Sequence, residues 1–368
     1  MALNQVGLER LNTATTDKIG KNKNLVVNGS MQVSQRASSF TGVDQQEYTV
    51  DQFVTLHSYG TSTINVINSS ESPDDFAKSY KVDVTAADTS IGAGQFMFIR
   101  HKLEAQNLTQ LAYGTSEAKS ITLSFYVRST VTGTYAICLQ QKDNSSKQVN
   151  GTYTINSANT WERKTFTYAG DTSGVINDDN GHGLDILWTL VAGSNRTSGS
   201  VRSTWTAHAD ADESVGHTAN VLSSTSNNWH LAGVQLEVGS VATDFEHLSF
   251  ADELRRCQRY YFRIPYQGAS NGGGVYLGSG KETGSNARVA VDFPVPMRAI
   301  PSCAASNLLA DDETSATSAD TVAGVLASSV EPDRGRVAFS GGSYSSGNSI
   351  SLATSQATNS YLEGSAEL

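Results

Sequence analysis

The feature that most constrains this chain is strict two-residue alternation, repeated in segment after segment. In "KSYKVDVTA" the residues Tyr80, Val82 and Val84 share one face, and in "KSITLSFYVRS" Ile121, Leu123, Phe125 and Val127 do the same. "TYAICLQQK" repeats the pattern with Tyr135, Ile137 and Leu139, and "GLDILWTLVAG" with Leu184, Ile186, Trp188 and Leu190. Successive side chains of a strand point to opposite sides, so each run can bury one face and wet the other only as a strand. A chain built from such runs hides its apolar faces by stacking two antiparallel sheets. "NNWHLAGVQLEVGS" closes the series with Val234, Leu236 and Val238 on one face, and strict alternation then puts Trp229 on the opposite, outward one. Between the runs, "TGT" at 132–134, "NGT" at 150–152 and "NDDNGHG" at 177–183 supply residues that reach positive φ at low cost. The expected fold is mostly β, with a jelly-roll β-sandwich over residues 24–248.

The period changes after that. In "SFADELRRCQRYYFR" the residues Phe250, Leu254, Cys257 and Tyr261 fall on one helical face, with Ser249 and Asp252 as a capping pair. This reads as a short connecting helix over 249–265. Residues 266–368 alternate again in short pieces, among them "ARVAVDFPVPMRAIPS", "GRVAFSGG" and "SYLEGSAEL", and are expected to form a small C-terminal β domain. Residues 1–23 are polar, with only Leu3, Val6, Leu8 and Leu11 for a helical face, and need a partner to be ordered.

Composition excludes several functions. A formal net charge of −10 is unsuited to tracking phosphates, so nucleic acid is not an expected partner. No apolar run is long enough to span a bilayer, and the first residues lack the basic-then-apolar layout of a secretion signal, so neither membrane insertion nor secretory export is expected. Cys138, Cys257 and Cys303 are far apart and lack metal spacing, so they read as buried small hydrophobes. "GSGKE" at 278–282 resembles the end of a phosphate loop, but Val275 stands where the first glycine belongs and Glu282 where a hydroxyl must meet magnesium. No nucleophile elbow or paired-histidine metal motif occurs.

Two kinds of chemistry remain. A glycosidase needs only two carboxylates at a set distance in the fold, and Asp178, Asp179, Asp185, Asp210, Asp212 and Glu213 are candidates in that sense alone; their plain reading is solvated loop acids. "NDDNG" is rich in oxygen ligands but lacks the order of an EF-hand, which leaves a loop-held structural calcium as the one cofactor open and no residue assigned as a metal ligand. The better lead is aromatic, because sugars stack their CH faces on Trp and Tyr without any motif. Trp188 shares a face with Ile186 and Leu190 and reads as core, and Trp161 as core or rim. Trp205, in the polar "VRSTWTAHAD", and Trp229 are the expected exposed ligand platforms.

"NLVVNGSM" (24–31) resembles the first strand of the jelly-roll carbohydrate-binding modules, and "WHLAGVQLEVGS" their closing strand. The chain is most similar to a group of bacteriophage structural proteins, tail fibres especially, that continue as "VQLEVGSVATDFEH" and "ELRRCQRYYFR" into a small β domain. The resemblance implies a non-enzymatic virion appendage, most concretely a tail fibre adhering to host-surface glycan. It also implies a homotrimer that attaches to other tail or capsid proteins through the N-terminal segment, made in the host cytoplasm. A capsid decoration or tail adaptor without receptor role, and a glycan depolymerase, are the alternatives. The carbohydrate-binding relatives often hold a structural calcium with an acid before the Val of "VQLE"; this chain has Ala232 and Gly233 there, a departure from that pattern.

Overall fold

The structure is a computed structural model that describes residues 23–58, 60, 62–143, 146–265, 275–283, 286–311, 316–318, 321–325, 334–340, 347, 349–355 and 359–368. Nearly all of the expected attachment segment, residues 1–22, lies outside them.

The alternating runs form strands where the pattern placed them. In chain order these are β1 (Ser39–Thr41), β2 (Glu47–Tyr48), β3 (Phe53–Ser58), β4 (Thr63–Ser69), β5 (Ser79–Ala86), β6 (Phe96–Glu104) and β7 (Ile121–Ser129). They continue with β8 (Gly133–Gln141), β9 (Lys147–Ile155), β10 (Glu162–Tyr168), β11 (His182–Ala192), β12 (Thr206–Ala207) and β13 (Asn228–Val238). Two antiparallel sheets result. Sheet I runs β1-β4-β5-β13-β7-β10, and sheet II runs β12-β9-β8-β11-β6-β3-β2. Their inner faces meet in one core of which Phe53, Tyr80, Phe125, Tyr135, Trp188 and Trp229 are the largest fully buried side chains. Trp188 stands edge-on to Phe125, with ring centroids 5.8 Å apart at 89°. The architecture is a β-sandwich of jelly-roll type, as the alternation required.

Two sequence expectations are corrected inside it. "NLVVNGSM" does not form a ladder strand. It lies as irregular, buried chain along β13, with positive φ at Asn28 (60°) and Met31 (59°). Two backbone hydrogen bonds, Leu25 N to the Leu236 carbonyl and Val234 N to the Gly29 carbonyl (2.9 Å each), join it to β13, and Asn24 supplements them: its Nδ2 donates to the Val234 carbonyl (2.9 Å), and its Oδ1 accepts from Leu236 N (3.1 Å) and Val26 N (3.0 Å).

The second correction is Trp229, which is fully buried rather than an exposed platform. The reason is a β-bulge. Ala232 pairs with Tyr126 and Gln235 with Ser124, so Gly233 and Val234 together face Phe125 alone. One extra residue switches the parity of everything beyond it. Trp229 and Leu231 therefore point to the same interior as Val234 and Leu236. Gly233 carries the bulge at φ +58°, where an L side chain is disfavoured.

The connecting helix α1 covers Phe250–Gln258; Ser249 accepts a hydrogen bond from Asp252 N (3.2 Å), and its hydroxyl meets the Asp252 carboxylate at 2.6 Å, the expected capping pair. The expected apolar face is only partly realised. Cys257 is buried, but Phe250 is 56% exposed, and Tyr261 lies outside the helix at the start of β14 (Tyr261–Pro265). Pairing of the β-prone Tyr-Phe run with the chain's last strand prevails over helical spacing.

Beyond it follow β15 (Tyr276–Glu282), β16 (Ala287–Asp292), β17 (Ser302–Ser306), β18 (Leu308–Asp311), β19 (Ala316–Ser318), β20 (Thr321–Val325), β21 (Arg334–Ser340), β22 (Ser349–Thr354) and β23 (Tyr361–Ser365). They build a sheet β14-β23-β17 and a sheet β19-β18-β22-β15-β16-β21-β20 over a separate core that includes Phe262, Val289, Phe339 and Leu352. The 278–282 stretch is part of strand β15, not a phosphate loop.

The junction is polar and closely held. The Arg259 guanidinium donates two hydrogen bonds to Glu104 (2.6 and 2.9 Å) and the Tyr260 hydroxyl a third (2.7 Å). Arg36 pairs with Glu367 at 3.0 Å and lies 3.5 Å over the Tyr261 ring. Among the described residues no helix is long and apolar enough to cross a membrane.

Candidate functional site

Two adjoining cavities open on the outer face of sheet I. One, of about 270 Å³, includes Asp75, Phe76, Tyr126, Arg163, Asp244 and His247 in its lining; the other, of about 280 Å³, is lined by Pro73, Asp74, Asp75, Tyr126 and Trp161. Asp75 and Tyr126 belong to both, so the two form one cleft.

Its residues come from three places, each for a local reason. Tyr126 points outward because Phe125 and Val127 on either side of it are core. Arg163 pairs with Tyr126 across the ladder and so shares its face, and Trp161, two residues earlier, has the same parity. The turn between β4 and β5 brings Asp74, Asp75 and Phe76, and the segment after β13 brings Asp244, Phe245 and His247.

The bulge shapes the floor. A Cβ on Gly233 would lie 2.5 Å from the Phe76 ring and 3.0 Å from Tyr126, so only glycine lets Phe76 settle against the sheet. Phe76 then packs on Tyr126 (centroids 5.6 Å) and on Phe245 (4.9 Å, 72°), and His247 on both Phe76 (5.2 Å) and Phe245 (4.9 Å). Trp161 is half-buried. Its ring meets buried His230 edge-on at 5.7 Å, which holds the indole in place while leaving it in the cavity wall. Burial first, then Arg128, pushes the His230 imidazole down to about 3, so it is a neutral support at ordinary pH.

The polar groups are unevenly engaged. Arg163 donates to the Thr243 carbonyl (2.6 Å), bracing the segment after β13. Below the cleft Arg128 pairs with Glu71 (2.7 Å), and this hydrogen bond holds the Glu71 carboxyl below its usual range. The carboxylates of Asp74, Asp75 and Asp244 have no hydrogen bond or ion pair among the described residues, and all three residues are exposed.

The other expected site residues lie elsewhere. Trp205 is half-buried, donates its indole N–H to the Ala169 carbonyl (2.9 Å) and stands edge-on to Tyr113 (5.7 Å, 71°). It is a scaffold contact, and it lines neither cavity.

Of the acids considered for hydrolysis, Asp178, Asp179 and Asp210 are exposed loop acids, whereas Asp185, Asp212 and Glu213 are buried in structural pairs rather than solvated. Asp185 is fully buried against His182 (2.6 Å), with Arg100 and Lys142 at 3.7 and 3.9 Å. Asp212 accepts from Arg202 (2.7 Å) and Ser200 N (2.6 Å), and Asp179 from Gly181 N (2.8 Å). Glu213 pairs with Arg196 and accepts from Gln140 (2.8 Å) and His208 (2.9 Å).

Two places where a structural calcium could be sought are unsuited to one. Ala232 and Gly233 offer no side-chain oxygen. His208, Asp210 and Glu213 have donor atoms within 4.8 Å of one another, yet the Arg196 guanidinium already sits on Glu213 and 4.0 Å from Asp210. That set is an ion-pair network with its own cation. Cys138 and Cys257 are buried free thiols, and Cys303 is a half-buried one.

A larger cavity of about 410 Å³ lies between the start of the sandwich and α1, lined by Leu25, Asn107, Arg256, Arg259 and Tyr260 among others. Arg259 and Tyr260 are committed there to Glu104, and Arg256 to the carbonyls of Asn24 and Val26. It lacks a pair of facing aromatic rings.

Sequence reasoning missed Trp161 and Tyr126 as a pair. The signal was present in "TWERKTFTY", where Phe166 and Tyr168 face inward and Trp161 has the opposite parity.

Sequence comparison finds no matching family model and no matching curated protein. Among solved structures the chain is similar to the enzymatically active domain of bacteriophage CBA120 tailspike protein 4, at 10% identity and a TM-score of 0.30, over 59% of this chain and 21% of that one. It is also similar to a carbohydrate-binding module described as CBM4, at 15% identity and a TM-score of 0.29, over 58% of this chain and 99% of that one. A third similar structure is a family 11 carbohydrate-binding module from Clostridium thermocellum in complex with a β-1,3-1,4-mixed-linked tetrasaccharide, at 9% identity and a TM-score of 0.28, over 56% and 98% of the two chains. Likenesses of this size do not bear on function.

Proposed function

We propose that this protein is a non-catalytic glycan-binding protein whose site is the cleft on sheet I. The observation that carries the reading is the pairing of two half-buried aromatic rings, Trp161 and Tyr126, with carboxylates that have no partner among the described residues. Such a cleft supplies CH-stacking faces and hydrogen-bond acceptors together. The commitment of Asp185, Asp212 and Glu213 to Arg, Lys and His partners removes those three as candidates for hydrolysis.

The finer reading is a virion tail fibre that adheres to host-surface glycan as a homotrimer, attached through residues 1–23; it rests on the sequence resemblance. A capsid decoration or tail adaptor shares that resemblance and lacks the receptor role.

Calorimetric titration with a panel of oligosaccharides tests the site. Trp161→Ala is expected to weaken binding about tenfold or more, since a buried aromatic anchor is commonly worth ~2 kcal/mol, with melting temperature unchanged. Equal affinity in wild type and variant sinks this assignment. Light scattering on the full chain and on a chain starting at Asn24 tests the assembly: a trimer that needs residues 1–23 is the expected result, and a monomer in both removes the fibre.

A further inference from the structure

We propose that the Trp161–Tyr126 cleft selects glycans that carry a free amine, that is, protonated amino sugars, over uronic-acid or sialylated chains; this rests on the glycan-binding reading above. Size sets the first constraint. Each cavity, at about 270 and 280 Å³, falls just under the ~300 Å³ at which pockets for whole small molecules begin. Because the two share Asp75 and Tyr126, the ligand is a chain of at least two units that passes over the Tyr126 ring, one unit in each cavity.

Charge sets the second. The Trp161 cavity contains two carboxylates, Asp74 and Asp75, two aromatic rings and a proline, and among the described residues no cationic side chain lines it. Carboxylates attract an ammonium group directly, and the faces of Trp and Tyr attract it through the ring quadrupole. Both effects act in the same direction, and both disfavour a carboxylate on the ligand.

The neighbouring cavity adds Asp244 and the His247 imidazole together with one guanidinium, Arg163, which already donates to the Thr243 carbonyl. The amine is therefore read in the Trp161 cavity, and the unit in the Arg163 cavity is neutral. A chain charge of −10 further repels polyanionic glycans at long range.

The test compares four probes on the full-length protein at a pH where the sugar amine is protonated: a glucosamine oligomer, its fully N-acetylated counterpart of equal length, an oligogalacturonate and an oligolysine. Each is titrated into wild type, Trp161→Ala and Asp74→Asn/Asp75→Asn. The glucosamine oligomer is expected to bind about tenfold more tightly than the acetylated one at low salt, with the margin shrinking as salt screens the exposed acids. In the double Asn variant the margin disappears, because the glucosamine oligomer loses more affinity than the acetylated one.

Equal binding of the two oligomers, a margin that survives the Asn substitutions, or comparable binding of oligogalacturonate overturns amine selection while leaving the glycan site standing. Oligolysine bound as tightly as the glucosamine oligomer also overturns it, since the cleft would then be a cation patch without sugar preference. Failure of every oligosaccharide to bind, with Trp161→Ala indistinguishable from wild type, overturns the glycan reading itself.

Discussion

The two outer faces of the sandwich make opposite use of similar strands. On sheet II the outward side chains of Gln140, Gln148, Asn150 and Thr189 meet the chain's own excursion, residues 193–217. Gln140 reaches Glu213, Gln148 the Ala209 carbonyl (3.0 Å), Asn150 the Asp212 carbonyl (2.5 Å), and Thr189 the Ser214 hydroxyl (2.9 Å). Arg196 lies 3.8 Å over the Phe96 ring and closes the apolar strip that Phe96 forms with Phe98, Leu187 and Cys138. On sheet I the outward Tyr126, Arg163 and Trp161 border an open cleft. An alternating strand says which residues leave the core; whether they meet solvent, a ligand or another stretch of the same chain depends on the connections.

Trp229 lies in the core behind sheet I, so Trp229→Ala is expected to cost about 3–5 kcal/mol of stability, the usual range for a fully buried Trp. A loss below 1 kcal/mol by denaturant titration would mean that the bulge parity is wrong and the ring faces out.

Next comes the closed face. Glu213→Ala leaves Arg196, His208 and Gln140 without their acceptor, and a loss of about 3 kcal/mol is expected, as for breaking a buried ion pair. Glycan affinity should stay unchanged; a parallel loss of binding would place the site on sheet II instead.

Gly233→Ala joins the two ideas. A non-glycine residue at φ +58° costs ~1–2 kcal/mol, and the added Cβ would displace Phe76 from the floor of the cleft. Stability and glycan affinity should fall together, read by melting temperature and calorimetry.

The smallest expected effect is in pH dependence. His101 is fully buried, and burial pushes its imidazole down to about 4 from 6.5. Its folded-state pKa is depressed, so the unfolded chain takes the proton first. The stability tied to the neutral ring is present above about pH 6.5 and is lost as pH falls toward 4. Asp51, Glu253 and Glu367 act in the other direction, because burial raises their pKa and the folded chain then holds the proton more readily. His101→Gln should flatten the slope of melting temperature against pH across that window; an unchanged slope would show that the ring is not held neutral.

Much of this molecule is legible in its sequence. The runs around Tyr80, Phe125, Tyr135 and Trp188 became strands with those residues inward, because period two leaves a half-buried strand no other solution. The capping pair Ser249–Asp252 marked the helix start, since the groups involved are three residues apart.

What failed was non-local. Trp229 turned inward because one extra residue at Gly233 changes parity, and a Gly-Val pair reads the same whether flat or bulged. Trp205 found its partner in the Ala169 carbonyl, 36 residues away.

Local sequence thus specifies a mostly β sandwich, the faces of its unbulged strands and its helix start, because these depend on neighbours within a few residues. Only the tertiary structure decided which outward face stays open. The cleft unites Asp75, Tyr126, Trp161 and Gly233 from four separate segments, and no local periodicity encodes the distances between them.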